Sequence, residues 1–209
     1  VETFITQDLI IISPGVPLFI RPIIEAQARG IEVLSEIELA YQFFNSPLIA
    51  ITGTNGKTTT TTLLSHIFKA CGKSVFVGGN IGTPLIEYAS MQQRAEYVIA
   101  EISSFQLECI KKFKPDISVM LNLTEDHLDR YACFEDYISA KAKIFLNQRH
   151  DDIAVLNFDD KEVRKIAQTI HAEPFFFSTK NQLSPGAYYN GNLQFSRGNN
   201  QKTAISVEG

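Results

Sequence analysis

The chain has 209 residues, enough for one large domain or two modest ones at about 150 residues each. Hydrophobic residues make up 44% and charged residues 20%, a globular balance that excludes a disordered or fibrous chain. The net charge of −4 argues against a dedicated nucleic-acid or anionic-membrane binder but allows a local basic pocket, and no apolar run approaches the ~18 residues of a membrane span.

In chain order the pattern is strand, turn, helix, repeated. Leu9 to Ile12 is a continuous apolar run, as expected of a parallel strand covered on both faces, and Ser13-Pro14-Gly15 ends it. Pro22 to Arg29 reads as a helix stopped by Gly30, and Ile31 to Leu34 as the next strand. Ser35 with Glu38 fits a capping box opening a helix through Phe44, and Asn45-Ser46-Pro47 marks a domain boundary. Strands follow at Leu48–Thr52, Ser74–Val77, Tyr97–Ala100, Ile117–Leu121, Ile153–Leu156 and Phe175–Phe177. Helices are expected at Lys57–Ala70, Pro84–Ala89, Phe105–Lys112, Phe134–Asn147 and Lys161–Ile170. After Ser178 the character changes. Asn190-Gly191 signals a hairpin, so 179–209 reads as a small antiparallel β appendage. The alternation predicts an α/β fold with a mostly parallel sheet, in which ligands bind beyond the carboxyl ends of the strands.

Cys71, Cys109 and Cys133 are odd in number and widely spaced, which suggests reduced thiols in a cytoplasmic protein. No leader opens the chain, and Val1 and Gly209 both read as cut ends.

The strongest local signal is Gly53-Thr54-Asn55-Gly56-Lys57-Thr58, between a buried strand and a helix. Backbone N–H groups of Gly53 to Thr59 and the positive end of the helix dipole can hold phosphate oxygens. Lys57 can reach the β/γ-phosphates and the Thr58 hydroxyl can ligate Mg²⁺. The full phosphate-loop pattern wants glycine where Ile51 stands, so this is a shortened variant. Kinase, ATPase, GTPase and ligase chemistry all remain open on this loop alone.

Glu101 ends a buried strand, where its carboxylate can complete a Mg²⁺ shell. Alternatively, the segment simply caps a helix through Ser103 or Ser104. Asn122 to Arg130 places Glu125, Asp126, His127 and Asp129 beyond another strand. His127 could ligate a metal with Asp126 or Asp129 orienting its ring, or the segment could be a solvated polar loop. His66, His150 and His171 read as structural or exposed. Lys141 and Lys143 on the following helix read as a solvated face, and Gly78–Gly82 as a loop that is either generic or open to close substrate approach.

Taken together, GTNGKT at 53–58, GGNIG at 78–82, EISSFQL at 101–107 and NLTEDHLDRY at 122–131 resemble the Mur ligases. EISSFQL is most similar to the branch that adds D-glutamate, and DLIIISPGV at 8–16 and VLNFDD at 155–160 extend the likeness. GTNGKT alone is shared with folylpolyglutamate synthetase. The resemblance implies an ATP-dependent amide ligase of cytoplasmic peptidoglycan-precursor synthesis, serving the cell wall, cell shape and cell division. ATP would phosphorylate the carboxylate of UDP-N-acetylmuramoyl-L-alanine, and the D-glutamate amine would attack the acyl phosphate. It implies ATP and two Mg²⁺ sites as cofactors, small-molecule substrates only, no nucleic acid, no membrane and a monomer. By the same resemblance the catalytic residues are Lys57, Glu101, His127 and Lys141. Thr58 and Glu101 would hold the first metal. His127 and a carbamylated Lys141 would hold the second, with Lys143 the less favoured lysine. Ser13, Gly15, Asn80, Ser103 and Gln106 would contact the UDP-muramoyl substrate or support it. Residues 1–46 would be part of a Rossmann-like UDP-substrate domain and 47–209 an incomplete central ATP domain. Adenine and D-glutamate contacts, and the third ligase domain, would lie outside this chain. A sister ligase and a non-ligating nucleotide-binding module are the competing readings.

Overall fold

A computed structural model describes residues 2–126, 129–196 and 202–205. The N-terminal part carries β1 (Leu9–Ile12), α1 (Arg21–Ala28), β2 (Glu32–Ser35) and α2 (Glu36–Tyr41). β3 (Leu48–Thr52), α3 (Lys57–Ala70), β4 (Val75–Gly79), α4 (Glu87–Ser90), β5 (Tyr97–Glu101) and α5 (Ser104–Leu107) follow. Then come β6 (Ile117–Met120), α6 (Phe134–Ala142), β7 (Ile153–Asn157), α7 (Lys161–Ala167) and β8 (Glu173–Ser178). β9 (Gly186–Tyr189), β10 (Leu193–Ser196) and β11 (Lys202–Ile205) complete the order.

β1 and β2 form a parallel two-stranded sheet. The other strands form one nine-stranded sheet in the order β11-β10-β9-β8-β7-β6-β3-β5-β4. It is parallel from β4 to β9 and antiparallel from β9 to β11. The C-terminal antiparallel strands thus continue the main sheet, through a short parallel pairing of Phe177 and Ser178 with Ala187 and Tyr188. Residues 190–192 close the β9–β10 hairpin around Gly191, whose φ is +94°.

β3 is buried throughout because helices cover both faces. Its Ile49 and Ile51 face Leu64 and Phe68 of α3, while Leu48 and Ala50 face the larger core with Val98, Leu107, Phe113, Ile144 and Leu156. α2 contributes Ile37 and Ala40 to that same larger core. Among the described residues no helix is long and apolar enough to cross a membrane.

Several sequence expectations shift. β1 alternates in burial, with Leu9 and Ile11 exposed, so it is covered on one face only. The Ser35–Glu38 capping box does not form: Ser35 stands at the N-cap without a side-chain cap bond. The buried Glu38 carboxylate instead accepts backbone N–H groups of Lys111, Lys112 and Phe113 at 2.8–2.9 Å. These long-range bonds turn the backbone of 111–113 toward α2, so the helix expected over Phe105–Lys112 is the single turn α5. α4 begins at Glu87 rather than Pro84, and α7 ends at Ala167. α6 stops at Ala142 and tightens into a 3-10 turn at Lys143–Phe145. β4 runs on through Gly78 and Gly79, which are strand rather than loop.

Glu38 therefore satisfies donors at the junction between the N-terminal helix and the central sheet. Glu38→Ala leaves those buried N–H groups without an acceptor and is expected to cost about 2–4 kcal/mol, read as a lower urea midpoint. Glu38→Gln, which keeps one acceptor oxygen, should fall between the two.

Candidate functional site

The register of the parallel strands aligns the motif tips. Glu101 at the end of β5 lies level with Ile51 of β3 and with Gly79 of β4, while Thr52 lies level with Met120 of β6. The loops that follow β3, β4, β5 and β6 consequently emerge side by side on one edge.

The loop after β3 enters α3 through Gly56, whose φ of +83° is a left-handed conformation that glycine adopts without strain. The first N–H groups of α3 have no intrahelical acceptor, and among the described residues no side chain caps them. Asn122 fixes the loop from β6. Its Oδ1 accepts from the Asn55 N–H at 2.8 Å, its Nδ2 donates to the Asn55 carbonyl, and its own carbonyl accepts from the Thr54 N–H. Thr54 Oγ1 accepts from the Thr124 N–H and lies 3.2 Å from the Tyr137 hydroxyl.

Lys57 Nζ folds back on the loop, donating to the carbonyls of Gly53 (3.0 Å) and Thr54 (2.8 Å). Lys141, buried on α6, donates from Nζ to the same Gly53 carbonyl at 3.0 Å, and its Nζ sits 4.7 Å above the Tyr137 ring. Burial, and then the neighbouring Lys57 charge, lower the Lys141 pKa to about 7, against the pull of Asp126 and Glu101. Lys143 points elsewhere, donating to the Glu108 carbonyl at 2.9 Å.

Glu101 is 1% exposed. Its Oε2 accepts from Thr58 Oγ1 and its Oε1 from Asn80 Nδ2, both at 2.8 Å. The Asn80 N–H also donates to the Glu101 carbonyl at 2.7 Å. Gly79 permits this approach, since a Cβ there would stand 2.2 Å from that carbonyl oxygen. Thr58 and Glu101 together present hard oxygen donors beside unpaired helix N–H groups and an ammonium, the chemistry a Mg²⁺-bearing polyphosphate needs. Among the described residues no three His, Cys, Asp or Glu side chains converge on one point. A phosphate-bound Mg²⁺ needs only one or two carboxylates, so the donor set fits.

The structure therefore brings together Lys57, Thr58, Asn80, Glu101 and Lys141. Ser103 and Gln106 sit nearby, joined to each other in a capping box at the start of α5, with Gln106 buried. Ser13 and Gly15 are exposed on the β1–α1 loop, where the Gly15 carbonyl accepts from Arg130 at 2.7 Å. His127 lies outside the described residues. His66, His150 and His171 are exposed. Sequence reasoning did not single out the contributions of Asn122 and Tyr137. The position of Tyr137 one helical turn before Lys141 was the available signal.

Residues 51–208 match the model of the Mur ligase middle domain. The UDP-N-acetylmuramoylalanine–D-glutamate ligase of Geotalea daltonii is 55% identical over 187 residues, covering 90% of this chain and 41% of the relative. The enzyme of that name from Pelobacter propionicus is 48% identical over 207 residues, covering 99% and 46%. The chain spans less than half the length of these curated relatives. In three dimensions the chain is similar to the MurF ligase of Thermotoga maritima in complex with ADP, with TM-score 0.60, 20% identity and coverage of 99% and 60%. A UDP-N-acetylmuramoyl-L-alanyl-D-glutamate–2,6-diaminopimelate ligase gives 0.60, 23%, 95% and 52%. With three-quarters of its length in the middle-domain match and its sheet shared with these structures, the chain belongs to the Mur ligase family.

Proposed function

We propose that this chain is the phosphate-handling part of an ATP-dependent ligase that adds D-glutamate to UDP-N-acetylmuramoyl-L-alanine in peptidoglycan-precursor synthesis. The observation that carries the reading is the meeting of Lys57, Thr58–Glu101–Asn80 and Lys141 at the ends of adjacent parallel strands. Relatives at 45–55% identity are UDP-N-acetylmuramoylalanine–D-glutamate ligases by name, which supports the choice of D-glutamate.

A carboxylate attacking a γ-phosphate brings one anion to another, so positive charge must be waiting. The α3 amides and Lys57 bind phosphate oxygens, with Lys57 leaving the loop carbonyls it holds here. Thr58 and Glu101 would hold Mg²⁺, which supplies charge neutralisation between the nucleotide and the incoming acid. Asn80 orients Glu101. An acid oxygen then bonds to the γ-phosphorus as ADP departs. The neutral amine of the second substrate attacks the acyl carbon, phosphate leaves with its bonding pair, and the nitrogen gives up one proton to solvent. Ser103 and Gln106 support this edge of the site, and Ser13 and Gly15 offer contacts to the UDP-linked acid from residues 1–46.

Lys141 is suited to carbamylation. With a pKa near 7 a substantial fraction is the neutral amine, which alone adds CO₂; the nitrogen then loses a proton to leave an anion. That anion, with His127, would hold a second Mg²⁺, and it would replace the repulsion between Lys57 and Lys141 by attraction.

A ligase containing this chain is expected to release phosphate only when ATP, the muramoyl-alanine nucleotide and D-glutamate are all present. Equal turnover with L-alanine or a diamino acid would favour a sister ligase. Mg²⁺-dependent ATP binding with no amide from any combination would favour a non-ligating module.

Glu101→Gln keeps the shape but removes the charge, and should lower turnover by on the order of 10²–10³. Unchanged turnover would remove Glu101 from the metal site.

¹³C-labelled bicarbonate should give a carbamate NMR signal that Lys141→Ala abolishes, together with most activity, and a short carboxylate should restore part of it. In the unmodified protein, Lys141 binds fewer protons folded than unfolded between pH of about 7 and its ordinary 10.5. Its burial therefore penalises the fold fully below that window and progressively less as pH rises through it. Under CO₂-free conditions, the stability advantage of Lys141→Met over the parent should shrink from pH of about 6.5 to about 9.5 in urea titrations.

A further inference from the structure

A second polar cluster joins the two sheets away from the phosphate loop. Arg130 and Glu108 pair at 2.7 Å, with side chains only 13% and 14% exposed. Arg130 Nε also reaches Glu108 Oε1 at 3.3 Å, and its guanidinium lies 4.4 Å over the Phe105 ring. The same group donates from Nη1 to the Gly15 carbonyl at 2.7 Å and from Nη2 to the Val16 carbonyl at 3.3 Å. Glu108 is held in turn by the Tyr131 hydroxyl at 2.9 Å. Tyr131 packs 5.5 Å from Tyr137, whose hydroxyl meets Thr54 of the phosphate loop at 3.2 Å.

We propose that Arg130 is a positioning residue that latches the Ser13–Val16 loop to the strand-end site. At its far end the loop is held by Val16, which packs with Leu18 against the Ile10–Ile12–Ile23 cluster. Ser13 to Gly15 are exposed, and among the described residues the turn closes with a backbone bond from the Val16 N–H to the Ser13 carbonyl at 3.2 Å, so Arg130 is what ties its tip to the central sheet. The N-terminal unit itself is anchored separately, by Glu38 on the 111–113 backbone, by Glu36 on the Ile86 N–H, and by Cys109 packing against the Ile10–Ile12–Val33 cluster. The planar fork suits the task, since one guanidinium meets a carboxylate edge, an aromatic face and two carbonyls at once; a lysine cannot. A largely buried ion pair is weak evidence for stability, but it is well suited to fixing geometry. Its catalytic consequence rests on the ligase reading: a UDP-linked acid touching Ser13 and Gly15 would be presented to the γ-phosphate at a distance set by Arg130.

The test is hydrogen exchange on Arg130→Lys, with kinetics beside it. Peptides covering 13–20 are expected to exchange about tenfold faster, while those covering 48–56 and 97–101 change less than about twofold. In a ligase carrying the substitution, KM for the UDP-linked acid should rise about tenfold with KM for ATP unchanged. Unaltered exchange at 13–20, uniform acceleration along the chain, or equal rises in both KM values would overturn the proposal. Should Arg130→Lys fail to fold, Glu108→Gln keeps the cation and breaks the pair, and should give the same local pattern at smaller size; failure of both to fold would make the cluster purely structural and overturn the latch. Absence of ligation in the unsubstituted protein would sink the ligase reading, while the exchange result would still decide whether the loop is latched.

Discussion

Lys57 and Lys141 both donate to one carbonyl oxygen, that of Gly53. Two ammonium groups so close, one of them buried, repel each other more strongly than they would in water. Burial and this repulsion bring Lys141 toward neutrality. The nearby Glu101 carboxylate is enclosed as well, between Thr58 and Asn80. Such a centre stores unbalanced charge of both signs in adjacent positions. A polyphosphate with its divalent cation matches it, anion toward the lysines and cation toward the carboxylate. The loop carbonyls engaged by Lys57 occupy its donors in the way that phosphate oxygens would.

This arrangement depends on a rigid frame. Parallel register sets Glu101 level with Gly79 and Ile51, so the side chains need no long reach. Asn122 ties the β3 loop to β6 by both its amide atoms and its carbonyl. Asp160 holds the Leu123 N–H with one oxygen and caps α7 with the other, and Asn157 holds the Leu121 carbonyl. Side chains locked in this way keep the charged groups in place before any ligand arrives, which is what electrostatic stabilisation of a phosphoryl transfer requires.

The sequence was most legible where structure is local. β3, its loop and α3 follow from a buried apolar run, two glycines and a helical pattern, and α3 spans Lys57 to Ala70 as read. It was least legible where one distant group overrides local preference. Glu38 has the spacing of a capping residue, yet its carboxylate meets three N–H groups more than seventy residues away, which ends the α5 helix early. The lysines show the same limit. Spacing on a helix cannot distinguish Lys141 from Lys143, whereas the packing of α6 sends the first to Gly53 and the second to Glu108. Leu9 and Ile11 read as covered on both faces because an apolar run does not reveal how many layers pack against it.

On the proposed function, phosphate chemistry and substrate choice would rest on different parts of this molecule. The charged centre is assembled from the ends of four neighbouring strands of one sheet, β4, β5, β3 and β6, so its geometry comes with the sheet itself. That is consistent with a shared fold at TM-scores near 0.6 to ligases only 20–23% identical. The acid and amine of the proposed reaction, in contrast, would be recognised by loops, which the sheet does not dictate. The β1–α1 loop belongs to a separate two-stranded sheet, and its relation to the phosphate centre is set by side chains that cross the junction. If the chain serves the proposed ligase, substitutions at that junction would alter which acid is aligned for attack without disturbing how phosphate is held.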